Sequence, residues 1–204
     1  MMSLATLRRA AVGLAAASLL GAGLMGAASA PADPDAPRYD ADGRLVLPAD
    51  YREWVFLSSG LDMSYNPTPS EVSAHVFNNV FVPRAAYAAF RKTGHWPDHT
   101  VMMLENRGGA SSLSINTRGQ VQTGEIRGLE VHVRDEARFK GGWGFFAFSG
   151  DGAPAKQIPY AADCYSCHEA HAAVDTTFVQ FYPTLMPVAK KLGTLSKGFL
   201  DDEK

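Results

Sequence analysis

The chain has 204 residues, with 19 Lys and Arg against 21 Asp and Glu for a formal net charge of −2. Without a basic stripe, a charge block or an internal repeat, it has no electrostatic footprint for a polyanion, which excludes nucleic acid as a partner. Only two cysteines are present, so a four-thiolate metal site is excluded as well.

Arg8 and Arg9 precede a run of Ala, Leu, Gly and Val over residues 10–25, and small residues ending Ala28-Ser29-Ala30 follow. This is the anatomy of a secretory signal, expected over residues 1–30 with cleavage after Ala28 or Ala30. Its Ala- and Gly-rich run falls short of the roughly 20 strongly apolar residues of a spanning helix, so no membrane association is expected once it is removed. About 174 residues then remain, enough for one domain with a substantial core, in the periplasm. Residues 31–50 begin rich in Pro, Asp and Ala and are expected to form an extended leader, and residues 51–204 a single domain.

Residues 51–57 are aromatic and β-rich and run into Ser58-Ser59-Gly60, the pattern of a strand entering a turn. Residues 75–82 (HVFNNVFV) predict a second strand, stopped by Pro83. A helix is expected over residues 83–93, with Ala86, Tyr87 and Phe90 on its apolar stripe and Gly94 closing it. Residues 99–105 predict another strand. Residues 111–117 and 120–124 are expected to pair as a ribbon about Arg118-Gly119, and residues 129–134 alternate cleanly. There Leu129, Val131 and Val133 share one side and Glu130, His132 and Arg134 the other, so His132 is expected at the surface. Gly141-Gly142 leads into a further aromatic strand over residues 143–148. Five or six strands at turn-length spacing predict an α+β fold, predominantly an antiparallel β-sheet with flanking helices and a C-terminal attachment helix.

That last helix carries the most specific motif, Cys164-Tyr165-Ser166-Cys167-His168, the attachment pattern of one c-type haem. A redox disulfide or half a zinc site would not require the histidine, and no βαβ pattern surrounds it. The two thiols bind the porphyrin and the His168 imidazole the iron. His171, one turn on, lies too close to His168 to reach the iron's opposite face. Asp163 is expected at the N-cap or in the first turn. Residues 177–183 should supply aromatic packing, and residues 187–191 a short terminal helix.

Only 36 residues follow His168, with Met186 their one methionine, which is the reverse of the order in small helical electron-transfer cytochromes. Met186 reads as a core residue, although Met186, Met63, Met102 or Met103 as sixth ligand would make the protein an electron carrier. The β-rich body also excludes a four-helix bundle.

Taken together, several runs resemble the cytochrome P-460 family. They are Phe77-Asn78-Asn79-Val80-Phe81-Val82, Lys92-Thr93-Gly94 with Trp96-Pro97-Asp98, Gly142-Trp143, the attachment motif, and Phe178-Val179-Gln180-Phe181-Tyr182-Pro183. The resemblance implies an antiparallel sheet with helices, a homodimer, and one high-spin, five-coordinate haem c. It also implies one of two activities. One branch oxidises hydroxylamine with a haem cross-linked to a lysine; the other, cytochrome c'-beta, has no such link and binds nitric oxide and carbon monoxide. Leu104 stands where the lysine would be, and no lysine lies between Lys92 and Lys140, which places the chain nearer the second branch. Phe77, Phe81, Met102 and Leu104 are the expected apolar wall of the iron's open face, with Phe77 and Leu104 the principal pair, and Asn78, Asn79 and Arg127 the candidate hydrogen-bond donors. An apolar wall favours nitric oxide and carbon monoxide over dioxygen, which gains from a donor, and over anions, which would be desolvated.

Overall fold

A computed structural model describes residues 33–65 and 74–204; the expected secretory signal lies outside them. Five strands form one antiparallel meander in chain order: β1 (Val55–Leu61), β2 (Val76–Val82), β3 (Val101–Ala110), β4 (Val121–Arg134) and β5 (Trp143–Phe148). Four helices accompany it: α1 (Arg84–Thr93), α2 (Asp163–His171), α3 (Met186–Leu192) and α4 (Lys197–Asp202). The α+β class with a predominantly antiparallel sheet is what the sequence predicts.

The sheet has two faces with separate cores, and the period-two alternation of each strand sorts residues between them. The helix-side core gathers Leu57, Val82, Met102, Trp143 and Phe145 from the strands, with Phe90 and Trp96 from α1 and the loop after it. From the C-terminal part it takes Tyr165, Val179, Leu185 and Phe199. The opposite core holds Val101, Met103, Val131, Val133, Phe146 and Phe148, together with Leu45 and Tyr51. Leu45 pairs with Ala155 and is fully buried, so from Tyr39 onward the expected leader docks on this second face. Arg138 closes over the Tyr39 ring at 3.7 Å, which helps hold it there.

Several boundaries differ from the sequence reading: Ser58-Ser59-Gly60, expected as a turn, lies within β1 opposite Val80, Asn79 and Asn78. Tyr51 to Glu53 forms a short 3-10 turn before the first strand starts at Val55. Residues 111–117 are not a strand: β3 reaches Ala110, β4 begins at Val121, and turns join them. Asp163 does lie in the first turn of α2, one of the two positions expected for it, with Ala162 at the N-cap, and its negative charge suits the amino end of the helix.

α1 starts after Pro83 and stops at Gly94 in the left-handed region, whose N–H bonds back to Phe90. Met186 opens α3 and packs against the helix-side core, as a core residue should. α4, absent from the sequence reading, is capped by Ser196, whose Oγ also donates to the Ala172 carbonyl at 2.6 Å. It crosses α2 so closely that a β-carbon on Gly198 would run into the Ala170 carbonyl oxygen. No helix among the described residues is long and apolar enough to cross a membrane.

Candidate haem site

α2 lies over the helix side of the sheet and carries all three motif residues. Cys164 is exposed, and Cys167 and His168 are half-buried. His168 Nδ1 lies 2.8 Å from the Thr176 carbonyl oxygen. A carbonyl can only accept, so Nδ1 carries the proton and the lone pair sits on Nε2. Burial holds His168 below its ordinary pKa, keeping the ring neutral, the state a metal ligand needs. Phe178 lies along it at 4.2 Å between ring centres, and Phe145 flanks it at 5.0 Å.

His168 borders two adjoining cavities. One, of about 170 Å³, is lined by Cys164, Cys167, Phe145, Ile158 and Phe178. The other, of about 270 Å³, has Val80, Met102 and Leu104 on its sheet wall and Tyr65 and Phe178 opposite. Free thiols, a neutral imidazole with its outer nitrogen unoccupied, and a large, mostly apolar hollow beside them fit a haem.

Of the expected wall, Leu104 and Met102 do line the larger cavity. Phe77 and Phe81 do not. Asn78 and Val80 face the cavity, and strand alternation turns Phe77, Asn79 and Phe81 to the other face, where Phe77 pairs with Arg107 and Phe81 with Met103. The cluster of aromatic residues in HVFNNVFV is a β-strand signature, but composition alone does not say which of its two faces meets the ligand. Asn79 instead bonds Gln122 at 2.9 Å on the opposite face, and Arg127 pairs with Glu125 at 3.2 Å.

Several cavity residues were missed, His132, Glu130 and Asn106 among them. His132, expected at the surface, lies under α2 with its ring edge-on to His168 at 4.8 Å. Burial, and then the neighbouring His168, push its pKa well down, so it too is neutral. Glu130 and Asn106 also line the larger cavity. Asn78 Nδ2 donates to Asn106 Oδ1 at 2.8 Å and Asn106 Nδ2 to Glu130 Oε1 at 3.2 Å, a polar chain across the wall expected to be apolar. At its far end Asn78 Oδ1 is buried with no partner among the described residues. The clean alternation of β4 was the available signal: a helix covers its second face, so Glu130 and His132 look into a cavity rather than into water. His171 bonds Asp202 at 2.6 Å.

The His168 acceptor sits on an unusual turn. Val174 and Thr177 pair as a two-residue hairpin whose central residues, Asp175 and Thr176, both have positive φ, 47° and 55°. Such turns favour Asn-Gly, and a β-branched residue at positive φ is strained by about 1–3 kcal/mol. Thr176→Gly is therefore expected to raise stability by about 1 kcal/mol, after allowing for the freer unfolded chain. Thermal unfolding of the two proteins checks this, and a lower melting temperature would show that the Thr176 side-chain contacts outweigh the strain.

An antiparallel sheet with a Cys/Cys/His helix over a cavity defines the class of haem cytochromes built on β-structure. The Cytochrome P460 family pattern matches residues 48–179, well over half of the chain, so the protein belongs to the cytochrome P460 family, and haem is its cofactor. No curated protein matches it.

Proposed function

We propose that this is an exported, periplasmic mono-haem cytochrome of the c'-beta kind. Cys164 and Cys167 would hold haem c through thioethers, and His168 Nε2 would be the protein's ligand to its iron. The haem binds nitric oxide, and carbon monoxide, on its open face. The observation that carries the reading is the Thr176–His168 bond beside the larger cavity, which frees Nε2 for iron next to a space walled by Val80, Met102 and Leu104. Haem supplies the iron site for a diatomic ligand; the chain selects which ligand enters. Val80, Met102 and Leu104 offer no hydration to an anion, and the Glu130 carboxylate on the same wall repels one. Neutral gases are therefore favoured. A homodimer and an unidentified redox partner complete the proposal, on the family resemblance alone.

Glu130 supports a second reading, hydroxylamine oxidation. A carboxylate hydrogen-bonded to Asn106 inside the cavity could take a proton from an N–H or O–H group of a bound substrate. The absence of a lysine at position 104 weighs against it. Ferric and ferrous spectra with and without nitric oxide, and turnover with hydroxylamine plus an oxidant, separate the two. Under the first reading nitric oxide shifts the ferrous Soret band, hydroxylamine gives no turnover, and Glu130→Gln alters gas affinity by less than about tenfold. Under the second, turnover is present and Glu130→Gln lowers it by roughly 10²-fold or more. A ferrous protein unresponsive to nitric oxide sinks the first.

A further inference from the structure

We propose that Asp175 is the positioning residue of the proximal ligand: its carboxylate locks the strained 174–177 turn and so aims the Thr176 carbonyl at His168 Nδ1. The inference rests on His168 being the iron ligand.

Three groups converge on the Asp175 carboxylate. His95 Nδ1 donates to Oδ1 at 2.9 Å, the Trp96 backbone N–H donates to Oδ2 at 2.9 Å, and Arg134 Nη1 makes an ion pair with Oδ2 at 3.0 Å. Trp96 grips the turn a second time, its indole N–H donating to Thr177 Oγ1 at 2.8 Å, while Thr177 Oγ1 donates to the Val174 carbonyl at 2.7 Å. Arg134 is anchored in turn by Glu136 at 2.6 Å. Elements from the α1–β3 loop and from β4 thus hold two residues in a conformation their side chains disfavour.

What the strain secures is the direction of one carbonyl. Asp175 and Thr176 each relax toward negative φ if the clamp is lost, and that rotation swings the peptide carrying the Thr176 oxygen away from the imidazole. The bond to Nδ1 fixes the tautomer and ring orientation of His168 and raises the electron-donating power of Nε2. A stronger donor favours the ferric state and strengthens the iron–histidine bond. A purely structural role for Asp175, joining the 95–96 loop to the 174–177 turn, would change the melting temperature without touching either property.

The test uses the holoprotein with haem attached, as wild type, Asp175→Asn and His95→Ala, His95 being half exposed. Resonance Raman of the ferrous form reads the iron–histidine stretch, and potentiometry reads the midpoint potential. In Asp175→Asn the stretch is expected to move to lower frequency and the potential to rise, with His95→Ala shifting both the same way by less. Wild type without an iron–histidine band would overturn the assignment of His168 itself. A wild-type band that Asp175→Asn leaves in place, with the potential unchanged, overturns the role of Asp175 and leaves the haem assignment standing. Should Asp175→Asn not fold, an unmoved band and potential in His95→Ala overturn it instead.

Discussion

Replacing both Cys164 and Cys167 by Ser is expected to abolish covalent haem completely, seen as loss of the haem mass from the intact protein and of haem-dependent peroxidase staining after denaturing electrophoresis. His168→Ala should behave differently. Both thiols remain, so haem stays attached, but the five-coordinate spectrum and the iron–histidine band disappear, because Nε2 of that ring is the atom the geometry leaves free. The contrast separates anchoring from ligation. His132 does not rescue the variant in this account: it packs against the flank of His168, with ring planes at 79°. A His168→Ala protein with an unchanged ferrous spectrum would remove His168 from the iron. Haem surviving denaturation in the double Ser variant would remove the thioethers.

Glu105→Leu should destabilise the fold by about 3–5 kcal/mol, the usual result of stripping one partner from a buried charge cluster. In a domain of this size that lowers the melting temperature by roughly 10 °C. Glu105 is almost wholly buried on the sheet face away from the haem site, and it accepts from Arg107 Nε at 2.6 Å, from Arg52 Nη2 at 2.7 Å and from the Tyr51 hydroxyl. Arg107 is itself largely buried and keeps its charge when the carboxylate is gone; Arg52 reaches water and contributes less. Burial alone would raise the Glu105 pKa, but hydrogen bonds from Arg107, Tyr51 and Arg52 outweigh it and hold the carboxyl down to about 2. Because the folded value lies below the unfolded one, the stabilisation is full above about pH 4.5 and is lost as pH falls toward about 2. The shift corresponds to on the order of 3 kcal/mol. Chemical denaturation of wild type and Glu105→Leu at pH 7 and pH 3 checks both size and sign: the gap between them should narrow in acid. A gap that holds constant or widens in acid would show that packing, not charge, is what Glu105 supplies.

The Glu105 cluster and the polar part of the cavity lining were not apparent from residue types, although Met102 and Leu104 were. Glu105 reads in sequence as the polar end of HTVMMLE, yet the register places it opposite Asn79 and Leu129, beneath the segment carrying Tyr51 and Arg52. The pairing joins residues more than fifty positions apart, and local pattern carries no information about such a contact. Local signals did locate β2, β5, α1 and α2, because each is set by near neighbours: Pro83 and Gly94 bracket α1, and Asp163 opens α2. Where the alternation was read correctly but its environment was not, the error fell on a whole face, as with Glu130 and His132 in β4 and Phe77 in β2.

By itself, then, the amino-acid sequence pointed to a haem, through two thiols and an imidazole within five residues, and determined the antiparallel class of the fold, through strand periodicity and short turns. Both are properties of contiguous residues. The polar side of the cavity wall, and the acceptor that leaves the lone pair of His168 on Nε2, were decided only by the tertiary structure. Which side of a strand is covered, and which distant side chains pin a turn, depend on how a helix from one end of the chain comes to rest on a sheet built from its middle.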